Sequence, residues 1–173
     1  MDSALKNIHY HRWANKKWFM HVQALPAQLT TTELKSVFPS IRDTLLHMVK
    51  TDYLWYAVIS GKSYDEVVML LQSLTAELEC NLDELHKKHE NLLQQFVELL
   101  EQTEDSTALL TIHHPALGEA TAPLCDFMQH VVNHGTYHRG NLSAMLHQLG
   151  EKGVATDYIY YMYEQQKVMN TKN

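Results

Sequence analysis

The chain has 173 residues, 45% of them hydrophobic and 20% charged, a globular composition that excludes an intrinsically disordered chain. Lys and Arg number 14 against 20 Asp and Glu, and the formal net charge of -6 gives no electrostatic footprint for nucleic acid. No apolar run approaches the roughly 18 residues of a membrane span, and the first residues lack the apolar stretch of a secretory signal.

The length suits one domain, 1–173, able to bury a core without disulfide staples. Cys80 and Cys125 are unsuited to a disulfide framework, so a reducing cytoplasm is expected. Few Gly and Pro favour long helices. The 12 histidines nearly match the strong cations in number.

A first helix is predicted from Ser3 to Leu25, ending before Pro26. The linker Pro26 to Pro39 carries a Thr-rich stretch suited to a short turn. Ser40 is a natural N-cap for a second helix, Ile41 to Ser60, with Gly61 as its stop. That helix is apolar on most sides, which suits a central position. Ser63 to Glu104 is helical in pattern, but one straight helix would reach about 60 Å at 1.5 Å per residue. It therefore divides into a short helix from Ser63 to near Ser73 and a longer one from Leu82 to about Gln102. Asn81 and Glu84 form a capping-box-like pair at the start of the latter. Its apolar stripe is Leu85, Leu92, Leu93, Phe96, Val97 and Leu100.

Leu109 to Ala122, with Pro115 and Gly118, reads as a loop or a small hairpin. Pro123 suits the first turn of a fourth long helix running to Leu149, closed by Gly150 and Gly153. The tail from Thr156 to Lys167 suits a short helix laying tyrosines over the others.

The fourth long helix holds the densest polar signal. His130, His134 and His138 are spaced one turn apart, and two imidazoles so placed can chelate one divalent ion. At 100° per residue His138 falls inside the apolar sector, His134 on its edge and His130 further out. The 134/138 pair is therefore the better ligand candidate. The same pattern also fits a hydrogen-bonded core His138 with solvated neighbours. An open catalytic site needs a third protein ligand from another helix. His47 is the best candidate, in a nearly wholly apolar segment. The alternative is a surface position beside Asp43 and Lys50.

Four segments resemble the DinB family of small metal-binding helical proteins: WAN at Trp13 to Asn15, TLLHMVKTDYLWY at Thr44 to Tyr56, HVVNHGTYHRGN at His130 to Asn141, and the LG…DY ending at Leu149 to Tyr158. HxxxHRG is the most specific piece. The resemblance implies an all-α, up-down-down-up four-helix bundle, with a long crossover between the second and third helices and a short C-terminal helix. It also implies a three-His metal site, which places the ligands on His47, His134 and His138. One departure is Asn141, where the family pattern leads to Gln after HRG.

Three neutral imidazoles suit Zn²⁺, Ni²⁺, Fe²⁺ or Mn²⁺. Asp52 is a candidate hydrogen-bond support for a ligand or a surface ion-pair partner. Arg139 is a candidate substrate contact or a structural ion pair. Gly135 and Gly140 each cost the helix roughly 1 kcal/mol relative to Ala, which close packing or room beside a metal would justify. His113 and His114 are candidates for a second site. His9, His11, His21, His86, His89, His113, His114 and His147 are otherwise expected in water.

The resemblance leads first to a metalloenzyme that activates a low-molecular-weight thiol, an S-transferase. Metal-dependent hydrolysis of a small substrate comes second. A non-catalytic metal-binding stress-response protein is the alternative of a different class. The expected partner is a small molecule rather than nucleic acid or membrane, and a homodimer is allowed.

Overall fold

The first helix begins where Asp2 can cap it. In the computed structural model, which describes residues 2–171, the Asp2 carboxylate accepts the backbone N–H groups of Ala4 and Leu5 at the head of α1 (Ser3–Gln23). These donors have no helical carbonyl of their own. Met1, Lys172 and Asn173 of the expected 1–173 span lie outside the described residues. The linker forms one short turn of helix, α2 (Ala27–Thr31). Ser40 caps α3 (Ile41–Ile59) by accepting from the Asp43 N–H. Gly61, at φ +84°, follows α3 in a backbone conformation that side chains disfavour.

α4 (Tyr64–Leu78) carries a full capping box between Ser63 and Glu66. It runs five residues beyond the expected end at Ser73. The Ser73 hydroxyl donates back to the Leu70 carbonyl, so this residue does not break the helix. Leu74 and Leu78 are buried, which draws the extra turn into the core. α5 (Leu82–Glu101) starts at Asn81, which accepts from the Glu84 N–H. All six residues of its predicted stripe are buried.

The loop-or-hairpin segment is a hairpin. β1 (Leu109–His114) pairs antiparallel with β2 (Gly118–Pro123), Leu109 facing Pro123 and His114 facing Gly118. Pro123 closes β2 and serves as N-cap of α6 (Leu124–Gln148), rather than sitting in its first turn. α7 (Tyr158–Asn170) starts two residues later than expected. Thr156 is held as coil because its carbonyl accepts from the Tyr10 hydroxyl and its own hydroxyl accepts from the Trp18 indole. Tyr158 and Tyr161 cover Tyr10, but Tyr160 and Tyr163 face solvent, so only half of the tyrosine cluster packs.

The protein is mostly helical. α1 packs on α5 and α6, and α3 packs on α4, α5 and α6. Two large apolar clusters fill most of the interior, and a smaller one gathers Tyr10, Ala14, Val132 and Tyr161. One of the large pair gathers Trp18, Phe19, Leu45, Met48, Leu85 and Met145; the other gathers Ile8, Leu92, Phe96, Met128 and Val131. Between these two, each long helix places polar residues: His11 and Asn15 on α1, Asp52 on α3, His89 on α5, His138 and Arg139 on α6. All six are buried. Among the described residues, no helix is long and apolar enough to cross a membrane.

Candidate metal centre

α6 presents His134 and His138 one turn apart, so their rings leave the helix on the same side. Their Nε2 atoms lie 3.0 Å apart. α3 crosses α6 and brings His47 Nε2 to 3.2 Å from His134 Nε2. His138 is 4% exposed, and His47 and His134 are half-buried. Phe38, from the linker before α3, packs its ring 4.5 Å from that of His47 and 5.7 Å from that of His138.

Hydrogen bonds alone do not explain this convergence. A ring nitrogen offers either one proton or one lone pair in its plane. His134 Nε2 therefore cannot serve both neighbours. Three lone pairs turned toward one cation remove the conflict. At metal–nitrogen distances of about 2.0–2.1 Å, tetrahedral or facial octahedral geometry separates the nitrogens by about 2.8–3.4 Å. The donor set thus fits a divalent ion.

The protonation states fit as well. Burial, then the neighbouring His138 and His47, pushes His134 down from 6.5 to about 4. Burial and His47 bring His138 to about 4. Burial also lowers His47, partly offset by the Asp52 charge. All three rings are neutral at pH 7, as ligation requires. Asn141 places its amide 3.5 Å from His138 Nδ1, so the shorter side chain still reaches the ring. The amide orientation that presents Oδ1 would accept the Nδ1 proton left when Nε2 ligates.

The other candidates separate cleanly. His130 is exposed, packed 4.6 Å from Trp55 and 6.4 Å from His134 by ring centres, outside the convergent group. His113 and His114 are exposed on β1, and neither joins a ligand cluster among the described residues. Arg139 is 3% exposed, and its guanidinium donates to Asn15, Thr136 and Tyr10. Its charge is thus spent inside the protein, in neither a surface pair nor an exposed contact.

Asp52 does not touch His47. It is buried, and its Oδ2 faces His11 Nε2 at 2.9 Å and His89 Nε2 at 2.7 Å. Burial alone would raise the Asp52 carboxyl, but these two rings hold it well below the usual range. His11 is kept neutral by burial. His11, Asp52 and His89 also bring ligand atoms close together. Here, however, proton donors can meet the carboxylate directly, and its charge acts on the buried Arg139 guanidinium without pairing with it. The trio is a hydrogen-bonded tie of α1 and α5 to α3.

The expectation that eight histidines sit in water is therefore corrected. His11 and His89 are 0% and 1% exposed. His86 stacks on Phe19 at 4.8 Å, and His21 Nε2 lies 2.6 Å from the Lys152 carbonyl oxygen. His9 is half-buried, which leaves His113, His114 and His147 as the exposed ones of the eight. Position carried the missing signal for His89, which lies four residues after Leu85 and three before Leu92, inside the buried stripe. His11 follows Ile8 by three and precedes Asn15 by four on the buried face of α1.

The profile of the DinB family matches residues 1–170. Protein DinB of Bacillus subtilis (strain 168) is 36% identical over 163 residues, covering 94% of this chain and 95% of the relative.

Proposed function

From the premise that the chain belongs to the DinB family, we propose that it is a metalloenzyme in which His47, His134 and His138 hold one divalent ion. The convergence of three neutral Nε2 atoms from two helices carries this reading. Such an ion, Zn²⁺, Ni²⁺, Fe²⁺ or Mn²⁺, would supply Lewis acidity toward a thiol or a water near neutral pH.

The chain's own residues do the rest. α6 fixes two ligands in one rigid turn, and α3 brings the third. His47 and His134 stay half-buried, which leaves one side of the site reachable by a small molecule. Phe38 covers the His47 and His138 rings and limits water on that flank. Arg139 holds α1 against α6 through Asn15 and Tyr10 and takes no part in binding.

The reaction we favour is S-transfer from a low-molecular-weight thiol to an electrophilic small molecule. Hydrolysis of a small substrate is the second reading, and a non-catalytic stress-response metal binder is the third. The frame we favour is one DinB-type domain, a four-helix bundle running up-down-down-up. The order of the apolar clusters supports it. α1 and α6 pass from the Ile8–Met128 cluster to the Trp18–Met145 cluster, while α3 and α5 pass the other way. Free Cys80 and Cys125 support a reducing, cytoplasmic setting. The exposed Ile159, Tyr160, Tyr163 and Met169 of α7 support contact with a second copy.

The test is turnover of metal-loaded protein against a panel of thiols with electrophiles and of esters. Thiol conjugation lost in His138→Ala, with helicity retained, is the expected result. Ester hydrolysis without conjugation would favour the second reading. No turnover with any metal would overturn both enzyme readings.

A further inference from the structure

Gly135 directly follows His134 on α6, and the space its missing side chain leaves is filled from α1. A Cβ built there would lie 2.4 Å from His11 Cε1, 2.8 Å from His11 Nδ1 and 2.9 Å from Arg139 Nη1. Real Cβ atoms do not approach that closely, so Ala at 135 must displace something. The His11 ring is not free to give way. Its Nε2 donates to Asp52 Oδ2 at 2.9 Å, and the Asn15 amide nitrogen, which that same ring nitrogen cannot also serve, packs against it at 2.9 Å. Arg139 donates to Asn15 Oδ1 and so fixes the Asn15 amide as well. The ring is 0% exposed, and its Nδ1, turned toward Gly135, has no hydrogen-bond partner. A buried ring left with an unpaired nitrogen is held there by shape rather than by that nitrogen.

The same ring thus touches both helices that carry the converging histidines. It meets α3 at Asp52, five residues after His47. It meets α6 at Gly135, one residue after His134. We infer that His11 is a positioning residue for the metal centre, a spacer on α1 that sets how far α3 stands from α6 and hence the separation of His47 from His134. Gly135 is the matching half of this device, because only glycine lets the ring reach the α6 backbone. This accounts for a helix-interior glycine that otherwise costs the helix stability. The inference rests on the three-His reading of the site and adds a residue that contributes no ligand atom.

The experiment uses the intact chain loaded with Co²⁺, read by the visible absorption of the bound ion and by a competition titration. Folding is monitored separately by far-UV circular dichroism, well below each variant's melting midpoint. Gly135→Ala is expected to keep its helicity, bind Co²⁺ about tenfold to a hundredfold more weakly and shift the absorption band, the range that outer-shell changes produce. The double variant His11→Ala/Gly135→Ala removes the two closest clashes and should recover part of the affinity lost in Gly135→Ala. If Gly135→Ala does not fold, His11→Ala alone is read, with weaker binding and a shifted band expected. Wild-type affinity and an unshifted band in a folded Gly135→Ala or His11→Ala protein would overturn the spacer role. Undiminished Co²⁺ binding in His134→Ala would instead overturn the three-His reading, and this inference with it.

Discussion

Asp52 Oδ2 lies 2.7 Å from His89 Nε2, with both side chains sealed from solvent. The contact joins α3 to α5, and His11 extends it to α1. Asp52→Ala would strand two buried imidazoles without their acceptor. Leaving a buried donor unpaired costs about 1–3 kcal/mol, and two would be stranded here. Urea unfolding of the metal-free protein should show a loss of that size. A loss below about 1 kcal/mol, the level of a single neutral hydrogen bond, would mean that the tie bears little of the fold.

The ligand assignment predicts a sharp pattern of metal content. His47→Ala, His134→Ala and His138→Ala should each fall well below one bound equivalent after dialysis. His130→Ala should retain the wild-type amount, since its ring centre stands 6.4 Å from that of His134. Elemental analysis of the four proteins checks this. Full occupancy in His47→Ala would remove α3 from the site.

Acid should destabilise the metal-free protein in two stages. His134 and His138 titrate at about 4 when folded against 6.5 otherwise, and His11 and His47 are lowered too. Between those values the unfolded chain binds more protons than the folded one, so stability falls as pH drops. The first loss therefore begins near pH 6.5 and continues to about 4. Asp52 is lowered from 3.8, so its contribution is present above that value and is lost below it. Urea midpoints measured from pH 7.5 to 4 should decline steadily. A midpoint that is flat or rises on acidification would contradict the neutral, buried histidines.

Gly140 is the useful contrast to Gly135. A Cβ at 140 would meet nothing within 4 Å. Gly140→Ala should therefore stabilise α6 by about 0.5–1 kcal/mol, the ordinary helix-interior difference. Calorimetry should record a higher melting temperature with unchanged metal content. A lower melting temperature would show that this glycine has a partner beyond the chain itself.

Much of this was legible along the chain. The caps at Ser40, Ser63 and Asn81 and the stripe of α5 follow from local chemistry. The i, i+4 pair of α6 follows from helical geometry alone, whereas the direction of His47 does not, because its helix is apolar on most sides. The tie between Asp52, His11 and His89 was not legible, because its members lie 41 and 37 residues apart and no periodicity links them. His89 shows a second kind of loss. Its place in the stripe marks it as buried, but its residue type suggests water. Position outweighs type when a buried carboxylate waits opposite. The extension of α4 past Ser73 has a similar cause, since the leucines beyond it outweigh one hydroxyl.

The two halves of the proposed centre stand 87 residues apart in sequence, between His47 and His134. No covalent cross-link holds the fold, because both cysteines are free. A bound ion would close that long loop as a disulfide does, restricting the unfolded chain far more than the folded one. Unlike a disulfide, this staple opens to a chelator but is not cleaved by reduction, so a cell rich in reductant could keep it shut.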